Sequence, residues 1–342
     1  MAAPRFPAPG QRGFSLIELM VALLLGLLLM SGIIAVYLES KRGWAQDEAI
    51  ARVQENGRYA LRLLSREIAM AGFLGGVTEL DAVSSPAVSD CQTWLLKLDQ
   101  KIDGPDENST HKNSFQSYNA ADDSAPAAFG SCFGAADVVA GTDILAIRRA
   151  SDTPLILAGE WHNDFTSLTS SAYYLHNDDS GLGDSEIVLG SALDTSELTA
   201  ADSTADVWAY YGRIYYIGIE NGVPSLCVRS VQNTAQTCLV SGIESLQIEL
   251  GVDTDGDAIP DEFVSDRVAD APGAVDPDTV LSIRLHLLVR SLEPVRSSPT
   301  DSRTWSLGDQ TLTTNASAAD QFYRRVFTTT VPRNNQVFTT FQ

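Results

Sequence analysis

An uncharged stretch near the start of the chain is the feature that most constrains its fold. No charged residue lies between Leu19 and Leu38, a length that crosses the hydrocarbon core of a bilayer as an α-helix. A secretory signal peptide would have a shorter apolar region followed by a small-residue cleavage site, and no Ala-x-Ala site follows this one. The stretch therefore predicts a membrane-spanning helix.

One acidic residue, Glu18, lies at the start of this apolar segment. An ionised carboxylate costs about 2.5–3.5 kcal/mol at the centre of a bilayer and less near its edge. Residues of this kind usually have a charged partner, and no cation lies nearby on the same predicted helix. The residues around Glu18 therefore leave its partner unidentified.

The segment Gly13-Phe14-Ser15-Leu16-Ile17-Glu18 resembles the cleavage and methylation motif of type IV prepilins. The resemblance implies that residues 1–13 are a leader, that a prepilin peptidase cuts after Gly13, and that Phe14 becomes the methylated N-terminus. It also implies that Glu18 pairs with the N-terminal amine of a neighbouring subunit during assembly, which is reasonable because a buried charge is tolerated once an opposite charge meets it. The alternative is a plain membrane anchor with a chance glutamate.

The leader carries Arg5 and Arg12, which favour a cytoplasmic location for the N-terminus. Lys41 and Arg42 beyond the span weaken this asymmetry. We expect a single-pass protein of the bacterial inner membrane, with its globular part in the periplasm and later in the pilus.

The helical pattern continues beyond the membrane span. Apolar and small residues recur at steps of three and four and form one stripe, and arginines occupy the other face. The stripe comprises Ile50, Val53, Gly57, Ala60, Leu61, Leu64, Ile68 and Ala71. Glycines at 72, 75 and 76 predict the end of the helix. The sequence thus predicts a transmembrane half over 14–38 and an amphipathic half over 39–76. A continuous helix from Phe14 to about Gly72 would be roughly 88 Å long.

The stretches Gln54–Leu61 and Ala69–Phe73 resemble the minor pilin family called PilW. This resemblance implies a minor pilin that helps initiate assembly of type IV pili and is incorporated in a tip or priming complex. Its implied partners are other minor pilins, the major pilin and the prepilin peptidase, with a tip adhesin as a further candidate.

Residues 77–342 are predicted to form a β-rich globular domain. Residues 77–141 have little periodicity and predict a long irregular insertion, and beyond them strands dominate. We expect two aromatic strands around a turn at Gly212 between Val207 and Ile219, and a half-buried strand over Leu281–Leu287 with His286 on its solvated face. A long helix followed by mostly antiparallel strands predicts an α+β fold.

Four cysteines predict two disulfides in an oxidising compartment. Cys227 and Cys238 flank a turn-rich stretch and could join neighbouring strands, which would leave Cys91 with Cys132. Four free buried thiols are the alternative, because sequence does not fix pairing.

An acidic loop over residues 253–262 resembles the start of an EF-hand calcium loop. Alternate oxygen ligands could converge on one calcium ion. They are Asp253, Asp255, Asp257, Asp261 and the Ile259 carbonyl. The pattern departs from the EF-hand at Ala258, which replaces a glycine, and at Val264, which replaces a bidentate glutamate. A solvated acidic turn is the alternative, and no cofactor is otherwise required.

The sequence contains none of the catalytic motifs GxxxxGK[ST], HExxH or GxSxG, and we expect no enzyme activity. The net charge of -21 disfavours binding to nucleic acid. Two other functions remain open besides the minor pilin: a pseudopilin of a type II secretion system, and a membrane-tethered calcium-binding adhesin.

Overall fold

The computed structural model describes residues 15–75, 91–96, 115–118, 132–134, 137–178, 185–265, 275, 279–295, 303–313 and 321–335. Among them, one long helix precedes a mostly antiparallel β-sheet domain, so the predicted α+β fold is confirmed. Gly13, Phe14 and the rest of the predicted leader lie outside the described residues.

Helix α1 runs without interruption over Leu16–Met70, roughly 82 Å at 1.5 Å per residue. It ends where predicted, because Gly72 follows with a φ of 80° and the Gly72 amide donates to the carbonyl of Arg148. The helix is long and apolar enough to cross a membrane by its length and composition.

The larger sheet is built around strand β6, which pairs with β2 along one edge and with β4 and then β7 along the other. Its eight strands are β1 (Phe115–Tyr118), β2 (Ile144–Leu157), β3 (Glu160–Trp161), β4 (Tyr173–Asp178), β5 (Ser185–Leu189), β6 (Ala205–Glu220), β7 (Val223–Ser230) and β8 (Thr237–Ser241). Two short helices accompany it, α2 (Cys91–Leu96) and α3 (Thr195–Leu198).

The smaller sheet follows directly after β8 and has the order β10-β9-β11-β14. Its strands are β9 (Ile243–Val252), β10 (Glu262–Val264), β11 (Val280–Arg290) and β14 (Arg324–Pro332). A separate hairpin is formed by β12 (Thr304–Leu307) and β13 (Gln310–Thr313).

The amphipathic half of α1 packs across the smaller sheet and into the main core. Its buried stripe meets side chains of both sheets in one apolar cluster. The helix contributes Val53, Ala60, Leu64 and Ile68, and the strands contribute residues such as Leu145, Tyr215, Leu246, Ile283, Leu285 and Leu287. The predicted apolar stripe is therefore the face that attaches the helix to the domain.

The turn predicted at Gly212 is wrong, because β6 runs straight through this position. Gly212 pairs with Arg148 of β2, and a Cβ atom at this glycine would lie 2.5 Å from the carbonyl oxygen of Leu95. The glycine therefore allows helix α2 to approach the strand closely rather than turning the chain.

The exposed position predicted for His286 is also wrong. Its side chain is only 13% exposed, with Nε2 2.8 Å from Oε2 of Glu249 and Nδ1 3.1 Å from Oγ1 of Thr328. The alternation of β11 places His286 on the outer face as expected, but side chains of the two neighbouring strands cover it.

Candidate functional site

The apolar half of α1 stands free of the globular domain. Every residue from Leu16 to Ala45 is exposed, including large apolar side chains such as Leu27 at 69% and Ile33 at 68%. A helix that is hydrophobic all round is stable only when something buries it, such as lipid or other helices.

Glu18 lies in the first turn of α1, within this exposed half. In the part of the chain that the structure describes, no cation forms an ion pair with it. The negative charge is favourably placed at the positive end of the helix dipole, but that effect alone is worth no more than about 1 kcal/mol at an exposed site. The assembly role of Glu18 stays a prediction, as do the processing roles of Gly13 and Phe14.

A buried carboxylate on the other half of α1 fixes the helix to the larger sheet. Glu67 accepts two hydrogen bonds from Arg149, at 3.1 Å and 2.8 Å, and one from Nη1 of Arg213 at 2.8 Å. The Glu67 and Arg149 side chains are only 7% and 6% exposed. Both guanidinium groups also lie over the ring of Tyr211, at 4.8 Å and 4.7 Å from its centre.

Burial by itself raises the pKa of Glu67, but the hydrogen bonds and positive charges of Arg149 and Arg213 outweigh it, and the pKa lies below the ordinary value of 4.5. Burial and the Glu67 charge raise the pKa of Tyr215 to about 12. Because its pKa is lowered, Glu67 is ionised at neutral pH, and its carboxylate holds β2 and β6 to the helix.

The acidic loop connects β9 to β10 on the smaller sheet. Oxygen atoms of Asp253, Asp255 and Asp261 lie within 4.8 Å of one another. Asp257 is not part of this group, and its carboxylate accepts a hydrogen bond from the Ile259 amide at 2.8 Å. The structure thus brings together three of the four predicted aspartates.

Hydrogen bonds within the loop hold these carboxylates in place. Asp253 accepts from the amides of Gly256 at 2.7 Å and Ala258 at 2.9 Å. Asp261 accepts from the hydroxyl and the amide of Thr254, and these bonds lower the pKa of Asp261. The three carboxylates are therefore preorganised with their charges close together.

The departures from the EF-hand pattern affect the fit to calcium in different ways. Ala258 adopts a φ of 64°, so it takes the left-handed conformation that glycine provides in an EF-hand. Val264 lies in β10 opposite Leu250 and offers no side-chain oxygen. The three carboxylates and nearby carbonyls are hard oxygen donors that suit calcium, but the bidentate ligand has no counterpart at Val264.

Both predicted disulfides are present. Cys227 of β7 lies directly opposite Cys238 of β8, and Cys91 of α2 bonds to Cys132. The first joins neighbouring strands as predicted, and the second holds α2 against the larger sheet near Tyr210 and Tyr216.

Sequence reasoning missed Glu67. A signal was available, because Val53, Gly57, Ala60, Leu64, Glu67 and Ala71 follow alternating steps of four and three. A charged residue at such a position faces the core and needs a partner.

Two family models match the chain. Residues 9–34 match the prokaryotic N-terminal methylation motif, and residues 214–335 match the family described as Type IV Pilus-assembly protein W, abbreviated PilW. The second match begins inside β6 and includes all of the smaller sheet. No curated protein and no solved structure matches the chain.

An exposed apolar helix with this motif, joined to an α+β domain, is the arrangement of a type IV pilus-related pilin, and the two family matches support that class for the chain. The match over residues 214–335 covers about a third of the chain and makes its C-terminal part similar to the PilW family. The predicted family is confirmed, although the stretch over 54–73 that suggested it lies outside both matched ranges. The motif and the apolar helix fit anchoring in the inner membrane, and they imply contacts with other pilus components and with the prepilin peptidase.

Proposed function

We propose that this chain is a minor pilin that helps start the assembly of type IV pili and is built into the tip or priming complex. The observation that carries the proposal is the exposed apolar half of α1 with Glu18 in its first turn. A subunit of this shape can enter a filament only by burying that half among other helices. It acts as a structural subunit and not as an enzyme.

The assembly step follows from electrostatics. In the inner membrane, the mature chain exposes the amine of Phe14 and the carboxylate of Glu18 near the bilayer edge. As one helix packs against the next, Glu18 of one subunit meets the amine of another, and the attraction grows as water is excluded. An unpaired carboxylate in the same place would oppose assembly.

The change Glu18→Ala tests this step in cells that make pili. We expect piliation by the variant chain to fall strongly, measured as sheared filaments and as the amount of this chain found in them. Glu39→Ala is the matched control, because Glu39 is an exposed carboxylate on the same helix just beyond the apolar span. The control should leave piliation unchanged.

Equal piliation by both variants would overturn the proposed role of Glu18. Mass spectrometry of the mature N-terminus tests processing separately. We expect the mature chain to begin at methylated Phe14, and a chain that keeps residues 1–13 or begins elsewhere would contradict the proposal.

Two alternatives predict different outcomes. A pseudopilin of a type II secretion system would reduce export of secreted proteins when Glu18 is changed, without loss of surface pili. A membrane-tethered adhesin that never polymerises would keep piliation and lose adhesion. Neither alternative is favoured by the match to PilW.

The orientation follows from the same proposal. The globular domain faces the periplasm before assembly and the exterior afterwards, where both disulfides persist. Other minor pilins and the major pilin are the proposed neighbours, with a tip adhesin as a further partner.

We also propose that the acidic loop binds calcium, which would lower the repulsion among Asp253, Asp255 and Asp261 and stiffen the connection between β9 and β10. Calorimetric titration of the full chain with calcium in detergent tests it. We expect the parent chain to give a binding heat that is lost in the double variant Asp253→Ala, Asp255→Ala. The control variant Asp202→Ala, which changes an exposed aspartate outside the loop, should keep it. Equal heats in all three proteins would remove the proposal.

A further inference from the structure

A groove separates the exposed face of α1 from strand β8, at the level of the second half of the helix. It has a volume of about 780 Å³ and is lined by the helix, by the last residues of β8 and by Leu292. The side chain of Asn56 donates to the carbonyl of Ser241 at 2.9 Å and holds the two elements together at one end of the groove. The groove is therefore a fixed feature of the domain.

The helix side of the groove is basic in a strongly acidic protein. Arg58 and Arg62 are exposed, lie one turn apart on the helix, and form no ion pair with any residue that the structure describes. Glu55 is the one carboxylate among the described lining residues. The groove thus carries a positive charge, although the chain as a whole has a net charge of -21.

The strand side of the groove offers an edge. Within the described ranges, β8 pairs only with β7. On its other edge the carbonyl of Ser241 is bound by Asn56, and no strand pairs with the part of the edge from Thr237 to Leu239. Leu239 on β8 is 39% exposed and Tyr59 on the helix is 53% exposed, so apolar surface lies beside this edge. Backbone hydrogen bonds together with side-chain contacts are the means by which a sheet edge binds an extended peptide.

The position of the groove excludes a lipid surface as the occupant. Arg58 lies 58 − 38 = 20 residues beyond Leu38, the end of the uncharged span, which is about 30 Å along the helix. This distance is several times the screening length of about 8 Å at physiological salt. Anionic headgroups would therefore not reach the two arginines.

We propose that the groove binds an extended acidic segment of a neighbouring filament subunit, which adds to the edge of β8 while its carboxylates pair with Arg58 and Arg62. This inference rests on the proposed function. The groove continues along the same helix whose apolar half must be buried by neighbours, so a subunit packed there runs beside it. Arginine binds carboxylates through two parallel hydrogen bonds, which suits an acidic strand.

Site-specific photo-crosslinking of the full-length chain in piliated cells tests the inference. A photoreactive phenylalanine analogue is placed in turn at Leu239, which lines the groove, and at Thr237, an exposed residue two positions earlier on β8. Leu157 is an exposed control on another strand. We expect adducts with another pilus subunit from the first two positions and none from the third. The two adducts should map to acidic sequence about two residues apart, because paired strands advance together.

Charge variants make the test specific. Arg58→Glu with Arg62→Glu should lower the crosslinked fraction about tenfold or more, because like charges would then face each other across the interface. Arg58→Lys with Arg62→Lys keeps the charge and should retain most of the adduct. Both pairs of changes are at exposed positions, and thermal unfolding would verify that the domain is intact.

Adducts only with lipid, adducts with a basic segment, or adducts insensitive to charge reversal would overturn the inference. The absence of any adduct, when the chain is present in sheared pili, would also overturn the inference. The proposed function would stand in that case. An acidic-strand adduct formed in membranes by a chain that never enters pili would support the groove and overturn the proposed function instead.

Discussion

At the scale of single residues, Gly57 determines how closely α1 can approach the smaller sheet. A Cβ atom at this position would lie 2.4 Å from the ring of Phe327 on β14. Glycine is unfavourable inside a helix by up to about 1 kcal/mol relative to alanine, but here it makes room for an aromatic ring. We therefore expect Gly57→Ala to destabilise the domain by about 1–3 kcal/mol, measured by denaturant unfolding of the full chain in detergent.

The control for this change is Gly43→Ala on the same helix, where no atom lies within 4 Å of the added Cβ. It should not lower the stability of the domain. Combining Gly57→Ala with Phe327→Leu should recover part of the loss, because the smaller side chain leaves space. If Gly57→Ala were as stable as the parent chain, the close packing of helix and ring would not be a constraint.

Glu67 is the residue whose charge should matter most for stability. Glu67→Gln leaves Arg149 and Arg213 without their carboxylate in a buried site, and we expect a loss of about 3–5 kcal/mol in the free energy of unfolding at pH 7. Glu48→Gln removes an exposed pair with Arg52 on the same helix and should cost less than about 0.5 kcal/mol.

The contribution of Glu67 to the free energy of unfolding should also depend on pH. The pKa of Glu67 is lowered in the folded protein, so its contribution to stability is present above its ordinary pKa of 4.5 and is lost as pH falls through the lower folded value. The difference in stability between the parent chain and Glu67→Gln should therefore shrink on acidification in this range. A difference that is constant with pH would show that shape, and not charge, accounts for the effect.

Glu18 and Glu67 show which residues the sequence could and could not interpret. Glu18 stands out because everything around it is apolar, so its need for a partner is visible without a structure. Glu67 lies among polar residues of a mixed helix, and its partners are far away in sequence on β2 and β6. Only the folded chain shows that the two arginines converge on it.

At the scale of elements, strand β6 shows why local signals misplace a boundary. The glycine at 212 predicts a turn, but the strand has partners on both edges that keep it extended for its full length, Ala205–Glu220. The long helix was easier to predict, because its periodicity and its terminal glycines are local. The pairing of β6 with β2, β4 and β7 depends on contacts between residues that are far apart in sequence, and a local sequence pattern does not show which strands become neighbours.

The two disulfides should differ in their effect on stability. On the chain-entropy account, a crosslink stabilises more when it closes a longer loop. The sequence separations are 41 for Cys91 and Cys132 and 11 for Cys227 and Cys238, which correspond to about 4 and about 3 kcal/mol. We expect Cys91→Ala with Cys132→Ala to lower the stability more than Cys227→Ala with Cys238→Ala, as measured by denaturant unfolding.

Strand pairing strengthens this expectation. Cys227 and Cys238 lie in strands that are already paired by backbone hydrogen bonds, so β7 and β8 remain neighbours without the crosslink. Helix α2 has six residues and is too short to be stable alone. The opposite order of the two effects would mean that loop length is not the dominant factor.

At the scale of the whole molecule, α1 belongs to two environments. From Leu16 to Ala45 it is exposed along its entire surface, whereas from Val53 onward its stripe is part of the domain core. The sequence predicted two halves that meet after Leu38, at the end of the uncharged span, whereas the exposed part of the folded helix extends to Ala45. What it could not predict is that Glu67, close to the end of the helix, is also part of the attachment.

This division predicts the effect of two truncations. A chain that begins at Glu39 keeps every buried residue of the helix, so the domain should unfold within about 2 °C of the full chain in scanning calorimetry. A chain that begins at Leu64 loses Val53, Gly57 and Ala60 and uncovers the sheet beneath them. We expect its unfolding temperature to fall by about 10 °C or more, since several kcal/mol of buried contact are removed. If both truncations lowered the temperature equally, the apolar half of α1 would have to contribute to the fold of the domain, and it would not be free to enter a filament as an independent element.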